Sequence, residues 1–361
     1  MSRRDIYYWK CDRPAAFFGT APREEVADVS EQQIRVALTE YFQPAKLELK
    51  PSASQGNHLT WIVKMDGKMG FLRVENGPEG DDYLEMESAL LGEVAAAGVP
   101  VPCVFGCDAS RSNVPFAWQL LEYFPEPDLN HWTKQGTLDE HAVAYTIGQN
   151  VARWQRIKPK GFGPFQIDAW RSSRGLCGWH KTYADYFHLN LDRHLDFLER
   201  GSFLTKSQRD EIATAIEENA DLLDLSGGCL VHKDLALWNA IGTPDSITAF
   251  IDFDDAVSGD PMDDLSLLAC FHDRAFLERA FSGYQSETDL PEKAMLRFWL
   301  HLLRNLIVKS VIRVGAGYFD RDSGFFLIGS GSSGEDLRTF TKVRLATALE
   351  GLRTQSDLSQ L

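Results

Sequence analysis

Two short segments of the 361-residue chain carry residue types in an order that can do chemistry: Val231-His232-Lys233-Asp234-Leu235-Ala236-Leu237-Trp238-Asn239 and Ile251-Asp252-Phe253-Asp254. Between them Thr243-Pro244-Asp245-Ser246 reads as a turn. A turn centred between Asp245 and Ser246 sets Asn239 opposite Asp252 at the open end of a hairpin. An amide oxygen beside a carboxylate suits a hard divalent cation, which takes oxygen ligands. Asp234 enters the same end, where it can accept a hydrogen bond from a substrate hydroxyl. Phosphoryl transfer uses this division of labour: a cation neutralises the phosphates, while an aspartate orients the attacking hydroxyl and takes its proton. The plainer alternative makes Asp234 a helix cap and Asn239 a turn residue. The apolar flanks of Asp234 and the hairpin register favour the chemical reading.

Together with Gly259-Asp260-Pro261-Met262-Asp263-Asp264-Leu265, these segments resemble the aminoglycoside phosphotransferase and choline-kinase group of protein-kinase-like enzymes, from about Ser54 to His301. Gly70-Phe71-Leu72-Arg73-Val74 and Gly161-Phe162-Gly163-Pro164-Phe165 look similar to segments of hygromycin B phosphotransferase. The resemblance implies an α+β, protein-kinase-like bilobal fold and phosphorylation of a small-molecule hydroxyl, with ATP and Mg²⁺ as cofactors. It implies Asp234 as catalytic base, Asn239 and Asp252 as magnesium ligands, and Asp264 as a brace for the catalytic loop. Asp260 and Asp263 read first as helix-capping acids around Pro261. Arg73 stands where kinases carry a third-strand lysine that contacts the nucleotide phosphates, and Glu87 on the next helix is its implied partner. Arginine can grip phosphate in a bidentate way. Ser54-Gln55-Gly56-Asn57 holds the place of a phosphate loop, which nominates Ser54 and Asn57. Backbone groups near Glu122 and Phe124 would bind the purine edge, and Trp238 would wall the substrate. There is no Ala-Pro-Glu element, and no glycine follows Asp252-Phe253. Both absences fit a constitutively formed small-molecule kinase better than a regulated protein kinase. A sugar, cyclitol or choline-like kinase, or a kinase-shaped nucleotide-binding protein without activity, stays open.

The elements that must position these residues follow from local pattern. Ser30 can cap a helix to Phe42, with Ile34, Leu38 and Phe42 on one face. Leu59–Val63 and Gly70–Val74 flank Asp66-Gly67, a hairpin signal. A helix over 82–97 ends at Gly98, and strands follow near Val104-Phe105 and Ala117–Tyr123. Pro125-Glu126-Pro127 marks a boundary between an N-lobe, 1–125, and a C-lobe, 126–361. The first 28 residues, with Tyr7-Tyr8-Trp9 and Phe17-Phe18, read as an arm on the N-lobe surface. The C-lobe pattern predicts helices over 138–156, 180–199, 206–223, 261–282, 291–313 and 335–352, with a β-hairpin at 229–253 and a flexible loop at Ser330–Gly334. Tyr183, Tyr186 and Phe187, at helical spacing, read as core.

Composition narrows the partners. A net charge of -15 repels phosphate backbones and argues against nucleic acid. Asp254, Asp255, Asp260 and Asp263 crowd beyond Asp252, which points to a cationic, aminoglycoside-like or aminocyclitol acceptor, with Asp254 and Asp255 on the substrate side. The six cysteines are scattered and read as reduced thiols of a cytoplasmic protein, without a zinc site. No apolar run is long enough to span a bilayer. Monomer and homodimer are equally compatible with the sequence.

Overall fold

Asp66 and Gly67 both take left-handed backbone conformations, with φ of 49° and 87°, as a two-residue hairpin requires. The computed structural model describes residues 2–13, 29–52, 58–75, 79–321 and 333–361. A short helix, α1 (Trp9–Asp12), comes first, then α2 (Glu31–Phe42), started by a capping box between Ser30 and Gln33. Strands β1 (Leu47–Pro51), β2 (His58–Met65), β3 (Lys68–Glu75), β4 (Val104–Asp108) and β5 (Trp118–Glu122) form an antiparallel sheet in the order β1-β2-β3-β5-β4. Alternation sends Trp61, Val63, Leu72, Val74 and Leu120 into a core with Ile34 and Leu38 of α2. Helix α3 (Tyr83–Ala96) instead turns Met86, Leu90 and Val94 into the main core.

The remainder is mostly helical. Its helices are α4 (Leu129–Gln135), α5 (Glu140–Trp154), α6 (Ile167–Ser173), α7 (Tyr183–Phe187), α8 (Leu191–Arg200), α9 (Lys206–Glu218), α10 (Asp263–Leu268), α11 (Arg274–Gln285), α12 (Ala294–Gly315) and α13 (Gly334–Thr354). Helix α12 is buried along most of its length and is the spine of this region. Helices α5 and α11 cross at Gly148 and Gly283. A Cβ at Gly148 would stand 1.9 Å from the Ala280 carbonyl oxygen, and one at Gly283 would stand 2.0 Å from that of Tyr145. Strands β6 (Phe162–Phe165), β7 (Gly178–His180), β8 (Cys229–Val231) and β11 (Val257–Gly259) form a small sheet in the order β7-β6-β11-β8, and β9 (Ala240–Gly242) pairs with β10 (Ile247–Phe250). Tyr183, Tyr186 and Phe187 are fully buried, as their spacing predicts. Among the described residues, no helix is long and apolar enough to cross a membrane.

Several expectations are corrected. The helix expected over 180–199 breaks where Asn190 turns left-handed (φ 56°), and that over 261–282 breaks before Asp273, which caps α11. The expected hairpin at 229–253 divides, because β8 pairs with β11 and not with β10. Tyr7, Tyr8 and Trp9 do not lie on a surface: Ile6 through Trp9, and Cys11, are buried. Aromatic rings at this density lower the free energy by leaving water: Tyr7 stacks on Tyr186 of α7 and lies under Arg304 of α12, Tyr8 lies under Lys309 of α12, and Trp9 is covered by Arg3. Phe17-Phe18 and residues 330–332 lie outside the described residues, while Ser333 caps α13.

Candidate active site

The loop that carries Asp234 is held from below. Asp264, in the first turn of α10, accepts hydrogen bonds from the His232 N–H (2.9 Å), the Lys233 N–H (3.0 Å) and the Trp154 indole (2.9 Å). Lys233 takes a left-handed backbone (φ 68°), a conformation uncommon outside glycine and often found at functional sites. Its ammonium group is buried and donates to Asp263 (2.7 Å) and to the Tyr7 hydroxyl (3.0 Å). The His232 ring links the two motif segments. Its Nε2 bonds the Ile251 carbonyl (3.0 Å), and its Nδ1 accepts from the Asp234 N–H (3.3 Å). This pair of bonds selects the neutral Nε2–H tautomer. Asp263 is therefore more than the helix-capping acid expected, and Asp260 pairs with Arg297 (2.6 Å) while accepting from the Met262 N–H (2.8 Å).

Asp234 is 1% exposed. Its Oδ1 accepts from the Tyr8 hydroxyl (2.5 Å) and from Lys309 (3.0 Å), and its Oδ2 accepts from Lys10 and from the Asn239 amide (3.1 Å). Burial alone would raise the pKa of this carboxyl, but Lys10 and Lys309 reverse that and hold it well below the usual carboxylate range. The Asn239 amide nitrogen also donates to the Asp234 carbonyl (2.8 Å), so its Oδ1 turns away from the base.

The expected facing of Asn239 and Asp252 is off by one residue. The turn closes between Thr243 and Ser246, and a register shift between Ile247 and Ala249 follows, so the Asn239 carbonyl accepts from the Ile251 N–H (3.0 Å). Asp252 lies just past that pair, in a left-handed conformation (φ 69°), and its Oδ1 reaches Arg73 (3.0 Å). Nearby, Asp254 Oδ1 and Asp255 Oδ2 are buried without a hydrogen-bond partner. Burial, with neighbouring Asp252 adding to it, raises the Asp254 carboxyl well above the ordinary range. Burial likewise pushes Asp255 up to about 6. Oxygen donors of this kind, left unsatisfied beside Asp252, suit a hard cation such as Mg²⁺.

Arg73 is a hub. It pairs with Glu87, reaches Asp254 at 3.7 Å as well as Asp252, and bonds the His58 ring (3.1 Å). Glu87 is fully buried. Glu122 ends β5, and its N–H is taken by the Cys103 carbonyl (2.8 Å); Phe124 lies half-buried just beyond. Ser54 and Asn57 fall outside the described residues. Trp238 is half-buried and packs edge-on against Phe271, 5.0 Å between ring centroids. Asp254 and Asp255 are 5% and 6% exposed, so neither presents an open carboxylate wall. The residues that sequence reasoning missed are Tyr8, Lys10 and Lys309. The Tyr7-Tyr8-Trp9 cluster was visible as an apolar patch, but nothing local tied it to a carboxylate more than two hundred positions away.

The profile of the phosphotransferase enzyme family matches residues 48–299. Among solved structures, aminoglycoside phosphotransferase APH(4)-Ia superposes with a TM-score of 0.60 at 16% identity, over 89% of this chain and 99% of that one. A thermostable mutant of it, in a ternary complex with AMP-PNP and hygromycin B, gives 0.61 at 18% identity over 90% and 98%. A Haemophilus somnus 129PT protein provisionally named a fructosamine-3-kinase gives 0.58 at 16% over 87% and 97%. At such identities the likeness is one of fold, the kinase-like α+β arrangement of a sheet-bearing lobe and a helical lobe. No curated protein matches the chain.

Proposed function

The chain belongs to the phosphotransferase enzyme family, and from that premise we propose that it transfers the γ-phosphoryl group of ATP to a hydroxyl of a small molecule. The observation that carries the reading is one connected cluster. Asn239 lies on Asp234 at 3.1 Å, and Asp252 lies on the basic residue of the sheet, Arg73, at 3.0 Å. The Ile251 N–H bond to the Asn239 carbonyl (3.0 Å), with Asp252 next in the chain, joins the two pairs and brings base, cation donors and phosphate-binding arginine together. Asn239 Oδ1 and Asp252 would hold Mg²⁺, with Asp254 Oδ1 adjacent. Once bound, the cation neutralises charge on the phosphates.

The chain's own groups do the rest. Asp234 accepts the proton of the attacking hydroxyl, while Asp264 and His232 fix the loop that carries it. Arg73, oriented by Glu87, grips phosphate oxygens in place of Asp252 once nucleotide is present. With the Glu122 N–H committed to Cys103, the purine edge is left to the Glu122 carbonyl and the Phe124 backbone. Ser54 and Asn57 complete the phosphate side, and Trp238 walls the acceptor.

The cationic acceptor expected from the acid cluster loses much of its basis. Asp260 and Asp263 are neutralised internally by Arg297 and Lys233, and Lys10 and Lys309 flank the base. An uncharged hydroxyl compound, a sugar or cyclitol, suits these surroundings better than a polycation. A nucleotide-consumption screen with aminoglycosides, aminocyclitols, sugars, choline-like amines and nucleosides tests both points. On the accepted substrate Asp234→Asn should lose roughly 10²–10⁴-fold in rate; near wild-type turnover would remove Asp234 from its role. A polycation turning over best, with kcat/KM falling as salt rises, would restore the cationic reading.

A further inference from the structure

The carboxylate of Asp234 has no room left. A carboxylate offers about four acceptor positions, and Tyr8, Lys309, Asn239 and Lys10 take them. A substrate hydroxyl can bond Asp234 only when one of these leaves. Three are locked. Tyr8 is 3% exposed, and its hydroxyl also accepts from Lys309 (2.9 Å). Lys309 is anchored in α12 with its ammonium over the Tyr8 ring (4.6 Å). Asn239 is tied to the Asp234 backbone as well as its side chain.

Lys10 differs. Its side chain is 33% exposed and its ion pair is with Asp234. The backbone that carries it is fixed on both sides. The Arg304 guanidinium stacks on the Tyr7 ring (3.6 Å), the Tyr186 hydroxyl donates to the Tyr7 carbonyl (2.8 Å), and Asp12 bonds His194 (2.7 Å). Lys10 is thus a long, partly exposed cation on a fixed stretch of backbone, with Asp252 and Asp255 as its further electrostatic neighbours. The lysine of the catalytic loop cannot serve in its place, because Lys233 is 1% exposed and committed to Asp263.

We propose that Lys10 is a catalytic residue that pairs with Asp234 in the resting site and moves to the γ-phosphate when nucleotide binds, which leaves its place on Oδ2 to the acceptor hydroxyl. This rests on the phosphotransferase reading above. In the step, the acceptor oxygen forms a bond to the γ-phosphorus as the bond from that phosphorus to the β–γ bridging oxygen breaks. The electron pair leaves with ADP, and the hydroxyl proton passes to Asp234. Asp234 thereby loses its charge while negative charge sits on the phosphoryl oxygens. With Lys309 left on Asp234 and Lys10 on the phosphoryl group, each keeps a counter-charge throughout, which is where preorganised electrostatics act most strongly.

The test is calorimetric and needs no acceptor. Wild type, Lys10→Met and Lys10→Arg are titrated with ADP and with AMP-PNP, each with Mg²⁺. Lys10→Met should weaken AMP-PNP binding by roughly tenfold or more, the size of one hydrogen bond to a charged group, with ADP affinity within about twofold of wild type. Lys10→Arg should recover most of the loss. Equal affinities for AMP-PNP in wild type and Lys10→Met, or equal losses for both nucleotides, would overturn the proposal and leave the phosphotransferase reading intact. Tighter AMP-PNP binding by Lys10→Met would also overturn it, making Lys10 an obstruction to nucleotide. Wild type binding neither nucleotide would overturn the phosphotransferase reading and this proposal with it.

Discussion

Lys233 stands beside the base in the chain but works on the opposite side of the loop. Burial acts to lower its pKa, yet the adjacent Asp263 carboxylate overrides that and keeps the ammonium above its ordinary range. Both partners are 1% exposed at the side chain, so either one left alone would be a buried, uncompensated charge. Lys233→Met should therefore cost roughly 3–5 kcal/mol of stability. The double variant Lys233→Met with Asp263→Asn should recover a large part, because Asn keeps an oxygen for the Asn305 amide, now 2.9 Å from Asp263. Urea unfolding of the single and double variants measures this. A double variant no more stable than the single would mean that the lysine stem, not its charge, is what the fold needs.

At the scale of elements, β3 and α3 meet through Arg73 and Glu87. Strand alternation and helix placement make this pair foreseeable, but the sequence suggests a phosphate-gripping arginine whose loss would alter nucleotide binding and little else. The structure adds Asp252 and Asp254 to its partners and buries Glu87 completely. Arg73→Met should consequently lower stability by about 3 kcal/mol as well as weaken nucleotide binding. Arg73→Lys, which keeps the charge and loses the planar fork, should fall between. Thermal melting without nucleotide and calorimetric titration with it separate the two effects; an unchanged Tm in Arg73→Met would return the residue to a purely nucleotide-binding role. The β9–β10 hairpin makes a related point. Its turn was recognisable from Thr243-Pro244-Asp245-Ser246, but the register shift around Thr248 was not, and a one-residue slip is enough to change which side chains face each other.

On the scale of the molecule, residues 2–13 tie distant parts together. Arg3 lies against the Tyr83 ring (3.4 Å) at the start of α3 and bonds Asp81 (3.0 Å), Tyr8 reaches Asp234, and Asp12 bonds His194 on α8. His194 is the imidazole of this clasp, between Asp12 on Nε2 and Arg304 on Nδ1 (3.1 Å), with Cys11 also against it. Burial, aided by Arg304 and opposed by Asp12, holds its pKa below the ordinary imidazole value. The unfolded chain takes up that proton near pH 6.5, whereas the folded chain resists it. Stability from this group is thus full above about pH 6.5 and declines as pH falls below it. His194→Gln should have a lower Tm at pH 7.5 and a flatter decline toward pH 5 than wild type. Parallel Tm profiles would show that His194 does not set the acid sensitivity of the clasp.

By itself the sequence determined what short-range forces determine. The Asp66-Gly67 hairpin, the Ser30 cap, the helix carrying Glu87, the buried aromatics of α7 and the order of Asp234, Asn239 and Asp252 all follow from turn chemistry, capping and periodicity among neighbours in the chain. Only the tertiary structure decided which charges meet. Asp260 went to Arg297 and Asp263 to Lys233, while Asp234 drew Lys10 from one end of the chain and Lys309 from the other. A buried carboxylate must find a counter-charge, but any lysine that packing brings within reach can supply it. That choice depends on how aromatic residues 7–9 and helix α12 fill the core around the catalytic loop, which local sequence does not encode.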